Sequence, residues 1–393
     1  MNNPVIVSAV RTAVGSFGGG LKSIPATALG SLVIKEALAR VRVAPEAVDQ
    51  VVMGNVIQAG LGQNPARQAA LGAGLPVNTG ALTVNKVCGS GLEAVIIAAD
   101  RIRAGTAEIV IAGGMENMSR APFLLREARF GFRLGDGKLV DAMVCDGLWD
   151  AYGDVHMGTL TDELARRHGV TRAMQDEFAV RSQQKCAAAQ IAGRFKDEIL
   201  PVEVPQPKGP VVIFDRDEFP KPDTTVERLA KLKPAFGADG TITAGNSSGI
   251  NDGAAALVVM SSARAAKLGL TPLAEIMAHG AGGVDPAMMG IGPVPATEQA
   301  LARAGLKIDA IDLIELNEAF AAQSQAVVRA LGIRDERLNV NGGAIALGHP
   351  IGASGARILT TLLHEMTRRA SRYGLATLCI GGGEGLALIV RRL

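Results

Sequence analysis

Two stretches of this chain, 270 residues apart, carry the same order of turns, helices and strands. Pro25-Ala26-Thr27 opens a helical pattern that continues through Leu29, Val33, Ile34, Ala37 and Leu38, and Pro295-Ala296-Thr297 opens another through Ala300, Leu301 and Ala304. A predicted strand follows each helix, at 48–53 and at 311–316. The next strands also match: Ile109-Val110-Ile111-Ala112 runs into Gly113-Gly114, and Leu378-Cys379-Ile380 runs into Gly381-Gly382. A last pair stands at 255–260 and 385–390. In the second copy only a few glycines separate the final two strands, whereas in the first about 130 residues intervene.

A chain organised this way is one β/α unit used twice, with the first copy interrupted. Short, β-branched strands alternating with helices predict an α/β fold whose mixed or parallel sheets are covered by helices. The expected boundaries are 1–120 with 250–270 for the first half, 121–249 for the insertion and 271–393 for the second half. The insertion has another character, with helical stretches at 162–168 and 172–194 and then a proline-rich segment from Pro201 to Pro222. That pattern predicts a lid or loop domain over the working end of the sheets.

At 393 residues the chain has room for two or three domains and a large core. Its 48% hydrophobic and 20% charged residues are ordinary for a globular protein. The 48 glycines cluster beside apolar strands, which marks tight turns and close backbone approaches, not a flexible linker. A net charge of +2 makes no case for nucleic acid or an anionic membrane surface. No apolar run reaches the roughly 18 residues a membrane span needs. Met1-Asn2-Asn3-Pro4 leads straight into an apolar strand with no charged and apolar leader, so the expected location is cytoplasmic. Four widely spaced cysteines in a reducing compartment stay free. No metal-ligand spacing is present, and no metal is expected.

Two of those cysteines have unusual settings. Cys88 lies in Val84-Asn85-Lys86-Val87-Cys88-Gly89-Ser90-Gly91, after an apolar strand and before a helical run. At such a turn the exposed N–H groups and the positive helix end are expected to lower a thiol's pKa. Gly89 and Gly91 clear the way for a substrate carbonyl to approach the backbone. His349, between Gly348 and Pro350 in a glycine-dense turn, suits a general base paired with a thiol, the alternative being a structural turn histidine. Cys379 ends an apolar strand before three glycines. It is either a proton-transfer group, with the N–H of Gly381 available to an oxyanion, or a core residue. Asn317, after the strand at 311–316, is either an amide donor or a helix N-cap. Cys145 and Cys186 read as structural, and His168, His279 and His364 as surface or core. Gly18-Gly19-Gly20 lacks the Lys-Ser/Thr of a phosphate loop.

Together these segments resemble the thiolase family over essentially the whole chain. The motifs stand in order: 85–91 around Cys88, Gly113-Gly114-Met115-Glu116-Asn117-Met118-Ser119, Asn317-Glu318-Ala319-Phe320-Ala321, Asn341 to Gly352 around His349, and Cys379-Ile380-Gly381-Gly382-Gly383. The resemblance implies two βαβαβαββ halves in an α/β/α/β/α layering, with a loop domain inserted in the first. It implies that Cys88 carries the acyl group, that His349 activates it, and that Cys379 moves the proton at the acetyl Cα. One oxyanion hole is implied at Asn317, through a water, with His349, and another at the N–H groups of Cys88 and Gly381. A Claisen condensation builds negative charge on two carbonyl oxygens in turn, so two donor sets are what the chemistry needs.

Within the family, His156-Met157-Gly158 and Met289 are similar to the short-chain, acetoacetyl-CoA type. The implied coenzyme A contacts are Leu148, His156, Met157, Phe236, Ala244, Ser248, Met289, Ala319 and Phe320. At the nucleotide end Lys221 stands where an Arg is more familiar, and Arg228 where a Ser is common. The implied activity is acetyl-CoA C-acetyltransferase, with coenzyme A thioesters as substrates and no cofactor. A longer-chain 3-ketoacyl-CoA thiolase and a silent thiolase-like scaffold are the alternatives. A decarboxylating ketosynthase needs a His where Asn317 stands, and a nicotinamide enzyme needs a glycine fingerprint that is absent. No nucleic-acid or membrane partner is implied. A homo-oligomer is, as a dimer of dimers tethered through 123–141.

Overall fold

A computed structural model describes residues 3–393, so the leader reading above, which rests partly on Met1 and Asn2, falls outside the described residues. The first half runs β1 (Pro4–Thr12), α1 (Ala26–Val41), β2 (Gln50–Gly54), α2 (Pro65–Gly72), β3 (Gly80–Val84), α3 (Ser90–Arg103) and β4 (Ile109–Asn117), and it closes with β5 (Asn251–Ser261). Between β4 and β5 the chain leaves the sheet and forms α4 (Met157–Arg167), α5 (Arg172–Ile191) and several two- or three-residue strands. The second half runs β6 (Ala274–Gly283), α6 (Pro293–Ala304), β7 (Leu313–Leu316), α7 (Ala321–Leu331), α8 (Ile351–Arg369), β8 (Tyr373–Ile380) and β9 (Glu384–Arg391). Helix α6 begins at Pro293, two residues before the triplet that reads as its start. Proline has no N–H to leave unpaired in a first turn, so either Pro293 or Pro295 can open it.

The repeat reappears in the sheet order. The first half is ordered β3-β2-β4-β5-β1 and the second β7-β8-β9-β6. In both, the pairings near the far edge are parallel and the remainder antiparallel. The counterpart of β3 shrinks to one parallel bridge between Leu338 and Ile314. The two half-sheets are joined where β1 and β6 pair antiparallel at Val5–Glu275 and Ile6–Ala274, making one continuous sheet.

Three apolar cores produce the layering. In β4, Ile109 and Ile111 face an outer core with Leu29, Val33 and Ile34 of α1, while Val110 and Ala112 face a central one. In β9, Leu386, Leu388 and Val390 face the central core, and Ala387 and Ile389 face a second outer core with Ala300 and Leu301 of α6. Side chains alternate across a strand, so a strand buried on both faces is apolar throughout, as these are. The central core holds α3 and α8 between the two halves. Residues 351–363 of α8 are buried on every side, the condition under which a helix loses its polar face. The two helices cross closely enough that a Cβ on Gly355 would lie 2.3 Å from the Leu92 nitrogen, and one on Gly91 would lie 2.8 Å from the Ala356 nitrogen. Glycine is required at that crossing.

The insertion is stitched back onto the first half. Ile199–Leu200 pairs with the end of β1. Fully buried Arg11 of β1 donates from Nε to Glu198 Oε1 at 2.6 Å, and from its two Nη atoms to the Asp217 carboxylate at 2.6 and 2.9 Å. Among the described residues no helix is long and apolar enough to cross a membrane.

Candidate active site

Cys88 stands in the turn from β3 to α3. Val87 before it has φ 45°, left-handed backbone that a β-branched side chain rarely adopts and that costs about 1–3 kcal/mol. A side-chain latch holds the turn: Asn85 Oδ1 accepts from Val87 N at 3.0 Å. Ser90 Oγ donates to Val87 O at 2.7 Å and accepts from Lys86 N at 2.8 Å. The result presents the Cys88 sulfur to its own N–H and to that of Gly381, from the loop joining β8 to β9.

These donors do not yield the lowered thiol pKa expected from the turn. Burial dominates and pushes the Cys88 thiol up to about 11, with the two N–H groups pulling it down and Glu116 adding a little in the upward direction. Cys88 is 6% exposed, so desolvation of a thiolate outweighs the helix end. Buried Cys379 is likewise pushed up, by burial first and then by the nearby Cys88.

His349 is buried where Gly348 turns the backbone at φ 103° against the Asn251 side chain, whose Oδ1 accepts from His349 N at 2.9 Å. Its Nδ1 is 2.5 Å from Ser354 Oγ, and Ser354 Oγ donates to Pro350 O at 2.8 Å. A carbonyl can only accept, so the hydroxyl proton is committed to Pro350 and Nδ1 carries the ring proton. Nε2 therefore keeps its lone pair, 3.4 Å from Asn317 Nδ2. Burial, then the charge of Arg357, holds His349 down to about 3, so the ring is neutral and able to accept a proton.

Asn317 is not a helix cap: α7 starts at Ala321 with Phe320 in the capping position, and the Asn317 amide turns to His349 instead. Its neighbour Glu318 has a separate task. The buried carboxylate accepts from Ser182 Oγ at 2.6 Å, Asn339 Nδ2 at 2.7 Å and Ile345 N at 3.2 Å, clamping the loop that leads to His349. Glu116, raised to about 7 by burial, similarly accepts from Gly352 N at the start of α8.

One cavity of about 320 Å³ is walled by Cys88, His349 and Cys379 together with Leu148, His156, Met157, Phe236, Ala244, Ser248, Met289, Ala319 and Phe320. Asn317 and Gly381 stand just behind this wall. Asn317 contacts His349, and a Cβ on Gly381 would lie 2.2 Å from Met157 Cε. His156 stacks on Phe236 with ring centroids 4.4 Å apart, and its Nδ1 caps α4 by accepting from Gly158 N at 3.0 Å. That fixes the ring's Nε2 as a donor. Lys221 and Arg228 do not line this cavity. They line a neighbouring one that shares Ala244 with it, where Arg228 pairs with exposed Asp223 and Lys221 Nζ lies 5.2 Å from the Phe219 ring.

Sequence reasoning missed several of the cavity's residues: Met118, Thr243, Ser247 and Ile351. It also missed Ser354 and Asn251, which orient His349. Ser354 had a readable signal, because it stands five residues after the histidine on the first turn of a helix. Asn251 had none, being distant in sequence.

The model of the thiolase N-terminal domain matches residues 4–263, and that of the thiolase C-terminal domain matches 270–392. Over 392 residues the chain is 60% identical to an acetyl-CoA acetyltransferase of Cupriavidus necator, covering 100% of both chains. It is 58% identical, with the same coverage, to one of Escherichia coli K12. The crystal structure of the Bacillus anthracis acetyl-CoA acetyltransferase superposes with a TM-score of 0.98 at 44% identity, over 100% of this chain and 99% of that one. Motifs, layered fold and full-length matches agree: the chain belongs to the thiolase family.

Proposed function

We propose that this chain is an acetyl-CoA C-acetyltransferase that joins two acetyl-CoA into acetoacetyl-CoA and free CoA, reversibly, through an acetyl-cysteine. The observation that carries this reading is the convergence of two thiols and a neutral imidazole from three separate segments on one cavity. Full-length relatives named acetyl-CoA acetyltransferase support it.

The steps follow from the geometry. Cys88 gives its proton to His349 Nε2 as its sulfur attacks the acetyl thioester carbonyl, and the CoA thiolate leaves with that proton. Because the resting thiol and imidazole are both neutral, the charge pair forms only as the bond to carbon does. The N–H groups of Cys88 and Gly381 then take the oxygen of the enzyme-bound acetyl group. Cys379 passes its proton to His349 Nε2 and, as the thiolate, removes a Cα proton from the second acetyl-CoA, whose enolate oxygen is met by the protonated His349 and by Asn317. The carbanion attacks the acetyl-Cys88 carbonyl, the C–S bond breaks, and the proton on His349 returns to the Cys88 sulfur, leaving Cys379 protonated and the imidazole neutral as at the start.

Acyl-chain range is set by Met157 and Met289, long side chains on the cavity wall, with Leu148, His156 and Phe236 beside them. The pantetheine arm lies along Ala244, Ser248, Ala319 and Phe320. The adjoining cavity takes the nucleotide end, with Lys221 and Arg228 as its cations. Residues 121–249 act as the inserted binding domain between halves at 1–120 with 250–270 and 271–393. No cofactor takes part, and the reading places the enzyme in the cytoplasm.

The chain works as a homo-oligomer, a dimer of dimers. Among the described residues strand β3 pairs only with β2, leaving an open edge of the kind proteins cover, and the arm at 123–141 exposes Phe123, Phe130, Leu134 and Leu139. The deciding assay is thiolysis of 3-ketoacyl-CoA esters of increasing length. Efficient cleavage of acetoacetyl-CoA with sharp loss for longer chains is expected, and preference for longer chains makes the enzyme a degradative thiolase instead.

A further inference from the structure

The steps above leave one buried ion pair unused. Arg357 stands on α8, three residues after Ser354, and Glu315 stands on β7, two residues before Asn317. They are 2% and 3% exposed, and Arg357 Nη1 lies 3.7 Å from Glu315 Oε2. Neither Nε nor either Nη of Arg357 makes a hydrogen bond to another described residue, and Glu315 Oε2 makes none. Arginine in a core normally earns its place with forked hydrogen bonds to a carboxylate. Burial pushes the Glu315 carboxyl up to about 8 and lowers Arg357, so their mutual attraction does not offset the desolvation of the pair, and well-packed neutral side chains of similar volume are as stable or more so in such positions. Stability does not account for the pair.

Its location does. Asn317 and His349 must face each other at the distance of a hydrogen bond, yet they come from different elements. Asn317 is set by the strand, its N–H donating to Thr377 O at 3.0 Å, whereas His349 is set by Ser354 of α8. Among the described residues no other side-chain hydrogen bond or ion pair joins β7 to α8. We propose that Glu315 and Arg357 are a positioning pair that fixes β7 against α8, so that Asn317 meets His349. The other charged groups facing the pair are Arg11 of β1, Glu198 and Asp217 of the insertion, Glu318 after β7 and Glu365 of α8. Arg357 opposes a proton on His349, in the same direction as burial.

This inference rests on the acetyltransferase reading, and the test separates the two. Thiolysis of acetoacetyl-CoA by the full chain is followed against pH for wild type, Arg357→Lys and the neutral double variant Glu315→Gln/Arg357→Met, with thermal unfolding alongside. The double variant is expected to unfold no earlier than wild type, to keep KM within about twofold, and to lose about tenfold or more in kcat from misplacement of the dyad. Its acid limb moves to higher pH, because loss of the positive charge lets His349 take a proton more readily. Arg357→Lys keeps the limb where wild type has it. An unmoved limb in the double variant, whether or not kcat falls, overturns the proposal and leaves the pair a packing element.

A second reading needs no turnover. Ring-nitrogen NMR of 15N-histidine-labelled protein is expected to show His349 neutral at pH 5 in wild type and titrating at higher pH in the double variant. Identical titrations overturn the proposal. Wild type without thiolysis but with shifted titrations faults the assigned reaction and leaves the positioning pair standing.

Discussion

Ser354 Oγ lies 2.5 Å from Nδ1 of His349 and donates its own proton to the carbonyl oxygen of Pro350. One hydroxyl on the first turn of a central helix thereby decides which nitrogen of His349 is free. Replacing it leaves the fold intact, since a helical serine bonded to the carbonyl four residues back adds little stability. Ser354→Ala is expected to lower kcat by about 10- to 100-fold, part of the roughly 10²–10⁴-fold that general acid–base catalysis supplies, with little change in KM. Steady-state thiolysis checks this, and wild-type kcat refutes the tautomer assignment.

The two active-site thiols are predicted to divide the chemistry. Cys88→Ala abolishes both covalent acetylation and turnover. Cys379→Ala still forms an acetyl group on Cys88, seen by intact-protein mass spectrometry, but loses condensation. If both variants lose acetylation equally, Cys379 is part of the core only.

The resting charge state is predicted to be thiol with neutral imidazole. Burial raises the Cys88 thiol to about 11 and holds His349 near 3, so thiolate is scarce at neutral pH and gains as pH rises. Alkylation of Cys88 by iodoacetamide should accelerate through the alkaline range up to the thiol pKa. A plateau already reached below pH 7 means a preformed thiolate–imidazolium pair and contradicts the burial argument.

The methionine wall is predicted to set chain length. Met157→Ala and Met289→Ala remove flexible side chains from the cavity that holds the reacting thiols. Each should raise kcat/KM for a six-carbon 3-ketoacyl-CoA relative to acetoacetyl-CoA, by about 10-fold for one or two methylenes' worth of space. An unchanged ratio places the chain-length filter elsewhere.

The helix crossing is predicted to be intolerant. Gly355→Ala drives a Cβ against the Leu92 backbone at 2.3 Å, where neither buried helix has room to retreat. A loss of about 1–3 kcal/mol is expected from overpacking, seen as a lower Tm in thermal unfolding. Because α8 also carries Ser354, kcat should fall with it.

How much of this was legible beforehand differs between elements and contacts. The repeat, the strands at β4, β5, β8 and β9 and the helices of the insertion could be read because a strand buried on both faces and an amphipathic helix leave periodic marks in a short window. The start of α6 was misread because prolines at 293 and 295 give the same local signal. The joining of two sheets through β1 and β6 left no mark, since a two-residue pairing between distant strands has no local pattern. The same holds for Asn251, which orients His349 from 98 residues away.

From sequence alone came the duplicated fold and the chemical cast, because glycine-flanked Cys88, His349 and Cys379 keep their residue types and local turns whatever surrounds them. The tertiary structure alone decided their states. Asn317 became a partner of His349 instead of a helix cap, Ser354 chose the ring tautomer, and the thiol of Cys88 was driven up, not down. Each of these is set by depth of burial and by atoms brought close through space, and neither quantity exists until the two halves close over α3 and α8.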